Sequence, residues 1–198
     1  MLESKDKMKK IIFFILIIFL LTGCKHYQEI NTLDIVSSVV IDYKNNYYHL
    51  IIETKTMVDD DEASSSLIET SGRSIEHALS RLETHSKTLY FANLDVLLLT
   101  PDALKKIDYI INYINYHYHI NINFNMALIN DSYEVFEYNQ EVFGKHFKAI
   151  LEKPDNQKYN ILYPRFLNDY FSKRILMLPR ISFKDEKISL TLVEVPYE

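Results

Sequence analysis

The only cysteine of the chain, Cys24, stands directly behind Leu21-Thr22-Gly23. Ahead of these residues runs an unbroken apolar stretch, Ile11 to Leu21, preceded by the basic Met8-Lys9-Lys10. Eleven apolar residues are too few for a spanning helix, which needs roughly 20. They suit the core of a secretion signal behind a short positive segment. Small side chains at Thr22 and Gly23 let a peptidase approach the backbone, and Leu21 fits an apolar pocket. Cys24 then offers a thiol for thioether attachment of a diacylglycerol. The four residues match the bacterial lipobox, with Leu21, Thr22 and Gly23 as signal-peptidase recognition and Cys24 as the lipidation site. The competing reading is an uncleaved N-terminal anchor or a buried helix.

Other chemistry-bearing residues are sparse. His117 and His119 form an H-x-H pair, which on a strand would share a face and could bind zinc with further ligands. At a helix end they diverge by about 200°, no carboxylate or cysteine nearby completes a set, and a solvated junction is the simpler reading. Asp59 to Glu62 lacks the alternating ligands and central glycine of a calcium loop. His85, Ser86 and Asp95 lack the glycine pattern of a nucleophile elbow. Three scattered glycines build no phosphate loop. No catalytic residue, metal site, cofactor or small-molecule substrate is expected.

The composition agrees. The full chain carries −5, and the part from Cys24 onward carries −7, with 18 basic residues against 25 acidic. An acidic body without clustered Lys and Arg excludes generic nucleic-acid binding. A single cysteine allows no internal disulfide, so stability must come from an ordinary core.

The hydrophobic pattern outlines that core. Leu33 to Tyr43 and Tyr47 to Thr56 read as a hairpin about Lys44-Asn45-Asn46, because Asn tolerates positive φ. Asp59 to Ser66 reads as a loop. Ser74 caps a helix carrying Ile75, Ala78, Leu79 and Leu82. Leu94 to Leu99 is a central strand covered on both faces. Thr100-Pro101-Asp102 starts a helix presenting Ala103, Leu104, Ile107, Ile110, Ile111 and Ile114. Ile122, Phe124, Met126 and Leu128 mark a half-buried strand. Helices are expected over Asp131 to Tyr138, Glu141 to Leu151 and Pro164 to Ser172. The second presents Val142, Phe143, His146, Phe147, Ile150 and Leu151, a face for core packing ahead of a membrane surface. A closing hairpin, Ile181 to Phe183 with Lys187 to Val195, completes an α+β fold, a mixed β-sheet with packed helices. The expected divisions are a signal peptide over 1–23, an α+β domain over 24–152, and a linker with a partial second domain over 153–198. Tyr109, Tyr113 and Tyr116 fall opposite the Ile stripe, where a sheet-packed helix ordinarily carries charge. They are a candidate contact face for another domain or subunit.

This order of motifs resembles the Ger(x)C family of spore germination lipoproteins, the C subunits of nutrient germinant receptors. The likeness rests on Cys24-Lys25-His26-Tyr27-Gln28-Glu29-Ile30-Asn31 leading into the first strand. It continues through the block Lys87 to Leu99, with Tyr90-Phe91 at its centre, and through Leu178-Pro179-Arg180-Ile181. Lys25-His26 stands where Trp-Asp is usual, and the chain ends near the start of the family's second domain, as in a short or truncated member. The resemblance implies a non-enzymatic subunit, lipid-anchored on the outer face of the spore inner membrane. It implies integral membrane A and B subunits as partners, and of the site residues it carries over only Cys24. A stand-alone surface lipoprotein with a ligand-binding or structural role is the alternative.

Overall fold

Two long strands open the fold because Val and Ile dominate Leu33–Lys44 (β1) and alternate through Tyr47–Thr56 (β2). The turn between them holds Asn45 and Asn46 at φ 53° and 64°, the left-handed pair that a tight hairpin requires. The computed structural model describes residues 33–56, 64–83, 88–117, 119–133, 143–184 and 187–195. These belong to one compact unit running from Leu33 to Glu198.

The remaining strands are Ser64–Gly72 (β3), Thr88–Tyr90 (β4), Val96–Leu99 (β5), Asn125–Ile129 (β6), Leu176–Lys184 (β7) and Lys187–Val195 (β8). The helices are Ile75–Glu83 (α1), Pro101–Leu104 (α2), Ile107–Tyr116 (α3), Phe143–Leu151 (α4) and Tyr163–Phe171 (α5), with short 3-10 turns at Phe91–Asn93 and Pro154–Tyr159. The sheet order is β3-β2-β1-β5-β6-β7-β8, with β4 pairing the first residues of β1. β1, β5, β6 and β7 run parallel, and the β1–β2–β3 and β7–β8 pairs are antiparallel. This is a mixed sheet in an α+β fold, as the pattern predicts.

Both faces of the sheet are covered. On one, Val36, Val39, Leu50, Leu97, Met126 and Leu128 pack with residues of α1, α3 and α5. On the other, Val40, Ile51, Leu98, Ala127 and Ile129 pack against Phe143, Phe147 and Leu151 of α4. The α4 face is therefore a core face. β6 is buried along its whole length, not half-buried, because α4 supplies a second cover. Each large side chain so buried contributes roughly 1.5–3 kcal/mol.

Several expectations need correction. Ser64, Ser65 and Ser66 lie in β3, a polar edge strand, not in a loop. Asp131 to Tyr133 are bends, not the start of a helix; the rest of that segment, and Asp59 to Glu62, lie outside the described residues. The Pro101 helix breaks at Lys105-Lys106 into α2 and α3. The boundary at 153 does not divide the sheet. Tyr163 and Phe166 enter the first core, Ile181 enters the second, and β7 pairs with β6 through Arg180 and Ile181.

A β-bulge sets the parity of β1. Ile35 and Val36 pair with Lys55 and Thr54, but Ser38 pairs with Glu53, leaving Ser37 as the extra residue. Val36 and Val39, three apart, thus reach the same core. Two of the three glycines hold helices close to the sheet. A Cβ on Gly144 would lie 2.4 Å from Ser37 Oγ and 2.6 Å from the Ser37 carbonyl oxygen. A Cβ on Gly72 would lie 2.4 Å from the backbone nitrogen of Ala78. Gly144→Ala is expected to lower the unfolding free energy by about 2–3 kcal/mol. Adding Ser37→Ala should not restore it, since the backbone oxygen remains in the way. Denaturant unfolding of the two variants checks this.

Candidate functional site

Three buried or half-buried carboxylates organise the domain. Glu53 on β2, 2% exposed, faces α4 across the bulge. It accepts hydrogen bonds from Ser38 Oγ (2.9 Å) and from the backbone nitrogens of Phe143 (2.6 Å) and Gly144 (3.0 Å). It therefore satisfies donors at the first turn of α4, where a negative charge also meets the positive end of the helix dipole. Asp95, just ahead of β5, joins Lys55 of β2 at 2.8 Å and Lys148 of α4 at 3.2 Å. Asp42, near the end of β1, accepts from Thr100 Oγ1 (2.6 Å) and from the backbone nitrogen of Tyr43 (2.8 Å), and pairs with Lys44 at 2.7 Å. Thr100 also caps α2, so one hydroxyl links the cap to the carboxylate.

Burial opposes ionisation of Asp42, yet the bonds from Lys44 and Thr100 outweigh it and hold its pKa below the usual carboxylate value. A carboxylate depressed by folding stabilises the folded state above its unfolded pKa, and that contribution disappears as pH falls through the folded value. Stability is thus expected to drop on acidification below about pH 4. Asp42→Ala should remove that component and cost about 1–3 kcal/mol at neutral pH by stranding the donors of Thr100 and Tyr43. Thermal melts of both proteins from pH 2.5 to 7 test it.

The parallel strands have a finishing end and a starting end. At the finishing end lies a groove of about 470 Å³ lined by Asp42, Lys44, His49, Glu69, Arg81 and Tyr133 among others. Its polar groups already bond one another: Lys44 to Asp42, Tyr133 Oη to Glu69 at 3.0 Å, and Arg81 to the Ser71 carbonyl at 3.0 Å. Among the described residues no three His, Cys, Asp or Glu side chains gather in metal-binding geometry.

The tyrosines of α3 do not share one open face. Tyr109 packs against Tyr48 as a tilted ring pair with centroids 5.1 Å apart, and its hydroxyl donates to Glu76 of α1. Burial and this bond to Glu76 raise its pKa. Tyr113 packs against the core and meets the His117 ring at a tilt, with centroids 4.0 Å apart. Tyr116 alone stands out, 84% exposed. The two inner rings turn aside because α1 lies beside α3, so the helix has two neighbours and not one. Of the H-x-H pair, His117 ends α3 and His119 is exposed beyond it. His85, Ser86, Leu21, Thr22, Gly23 and Cys24 lie outside the described residues.

Sequence reasoning missed Glu53 and Asp42. Each falls at a strand position whose alternation, read alone, points it to solvent. The bulge and the helix on the second face are what enclose Glu53.

The model of the prokaryotic membrane lipoprotein lipid attachment site matches residues 8–24 and ends on Cys24. A folded α+β unit behind such a site defines a bacterial lipoprotein, held to a membrane through lipid. The spore germination protein N-terminal domain matches residues 26–183, most of the remaining chain. The chain therefore belongs to that family and is a spore germination lipoprotein of the Ger(x)C kind. No curated protein and no solved structure gives a match. Among the described residues no helix is long and apolar enough to cross a membrane.

Proposed function

We propose that the protein is a non-enzymatic subunit of a nutrient germinant receptor. It is anchored by diacylglycerol on Cys24 to the outer face of the spore inner membrane and assembles there with integral membrane A and B subunits. The observation that carries this reading is adjacency: the lipid attachment site ends at Cys24 and the germination domain begins at residue 26. Such an arrangement keeps a folded domain within a few nanometres of the bilayer in which receptor subunits are embedded. The carboxylates described above support the reading from the other side, since each is occupied in holding strands and helices together.

Deleting the gene is expected to abolish or slow germination in response to at least one nutrient of a broad panel. Germination triggered without nutrient should remain intact. Spores that respond normally to every nutrient that triggers the parent strain would overturn the proposal.

A further inference from the structure

The exposed apolar side chains are unevenly distributed between the two ends of the sheet. β1 begins at Leu33, and β4 pairs beside that beginning, with Tyr90 opposite Ile35. Ile122 leads into β6, and Leu162 bridges to Asn125, the first residue of β6. Tyr116 closes α3 at the same end, where Tyr163 Oη reaches Asn115 at 3.0 Å and the Tyr163 nitrogen donates to the Phe124 carbonyl at 2.9 Å. Ile175 immediately precedes β7. Their exposures are 41% for Tyr90, 84% for Tyr116, 46% for Ile122, 38% for Leu162 and 70% for Ile175. The finishing end carries fewer of them among the described residues, Tyr47 at 39% and Tyr133 at 51%. It also presents Lys44, Asp102 and Lys105 in ion pairs, as the starting end presents Lys148 with Asp95 and Arg174 with Asp169, so the ends differ in exposed apolar side chains and not in charge pairs.

The covalent chain adds a second, independent fact. Eight residues, Lys25 to Thr32, separate Cys24 from Leu33, and fully extended they reach at most about 30 Å. β1 itself is 12 residues, roughly 40 Å long. Lipid on Cys24 therefore keeps the starting end of the sheet near the bilayer. The finishing end can stand clear of it.

We propose that the starting end of the sheet rests on the bilayer surface, with Tyr116, Ile122 and Leu162 seated at the headgroup boundary. Tyr suits that depth because its ring is apolar and its hydroxyl stays wet. Apolar burial drives the contact, not charge. The contact is accordingly expected in purely zwitterionic lipid. It rests on lipid attachment and not on assembly with A and B subunits.

The chain has no tryptophan, so a single introduced Trp is a clean reporter. The full lipidated protein is reconstituted into phosphatidylcholine vesicles whose acyl chains are brominated near the headgroup. Tyr116→Trp and Ile122→Trp are each expected to shift blue and lose about half of their emission or more, as rings at the headgroup–acyl boundary do. Tyr47→Trp, at the β1–β2 turn of the other end, should emit as in water. Equal, solvent-like emission from all three variants would overturn the proposal. So would quenching at Tyr116→Trp that appears only after other spore membrane proteins are added, which would assign this end to a protein partner.

Discussion

Cys24→Ala is expected to yield a protein with no diacylglycerol and no cleavage after Gly23. The thiol is the only group in the chain that can form the thioether, because no other cysteine exists. Each buried methylene contributes roughly 0.8 kcal/mol, and two acyl chains hold a protein stably where one does not. Loss of both removes the lipid contribution to membrane attachment in one substitution. The uncleaved Ile11 to Leu21 run stays strongly apolar and can itself hold the variant at a membrane, so intact mass is the readout that decides. Intact mass and detergent-phase partitioning read the result. The parent should begin at a diacylated Cys24 and enter the detergent phase. The variant should keep the signal segment and carry no lipid. A parent protein with an unmodified N-terminus at Met1 or Met8 would remove the anchor from the account.

The second large effect concerns the fold that the anchor carries. Glu53→Ala is expected to destabilise the domain by about 3–5 kcal/mol, since each buried donor left without an acceptor costs about 1–3 kcal/mol. Three donors lose their acceptor together: Ser38 Oγ and the backbone nitrogens of Phe143 and Gly144. A domain of this size shifts in melting temperature by about 2–4 °C per kcal/mol, so a fall of about 10 °C is expected. Glu53→Gln keeps one acceptor oxygen and should fall between parent and alanine variant. An alanine variant that melts within 2 °C of the parent, a margin of about 1 kcal/mol, would show that the α4 cap contributes little. Because α4 covers the second face of β5 and β6, its loosening should also raise hydrogen exchange at Val96 to Leu99.

The regular parts of this fold are legible in residue types. Asn45-Asn46 between two alternating runs gives the first hairpin, and Thr100-Pro101-Asp102 gives a helix start with its cap. Leu94 to Leu99 reads as a doubly covered strand because no polar residue but Asp95 interrupts it. The missed parts have physical reasons. β3 is an edge strand, so Ser, Thr and Glu serve it well and imitate a loop. The bulge at Ser37 shifts the side-chain period by one, which no alternation test detects. The helical wheel gives the angle of Tyr109 and Tyr113 on α3 but not the presence of α1 on that side. Lys153 to Gln157 is polar because it is a surface 3-10 turn between α4 and α5, and polarity alone imitates a domain boundary. The lipid site is legible for the opposite reason. Its recognition depends on local sequence, read by enzymes before the domain is placed.

Capture of the lipidated protein from spore inner membranes, solubilised in mild detergent after brief cross-linking, reads its assembly with receptor subunits. Two polytopic membrane proteins are expected to be recovered in constant proportion to it. Recovery of the lipoprotein alone, from membranes in which it is abundant and fully lipidated, would mean that it does not work as a receptor subunit.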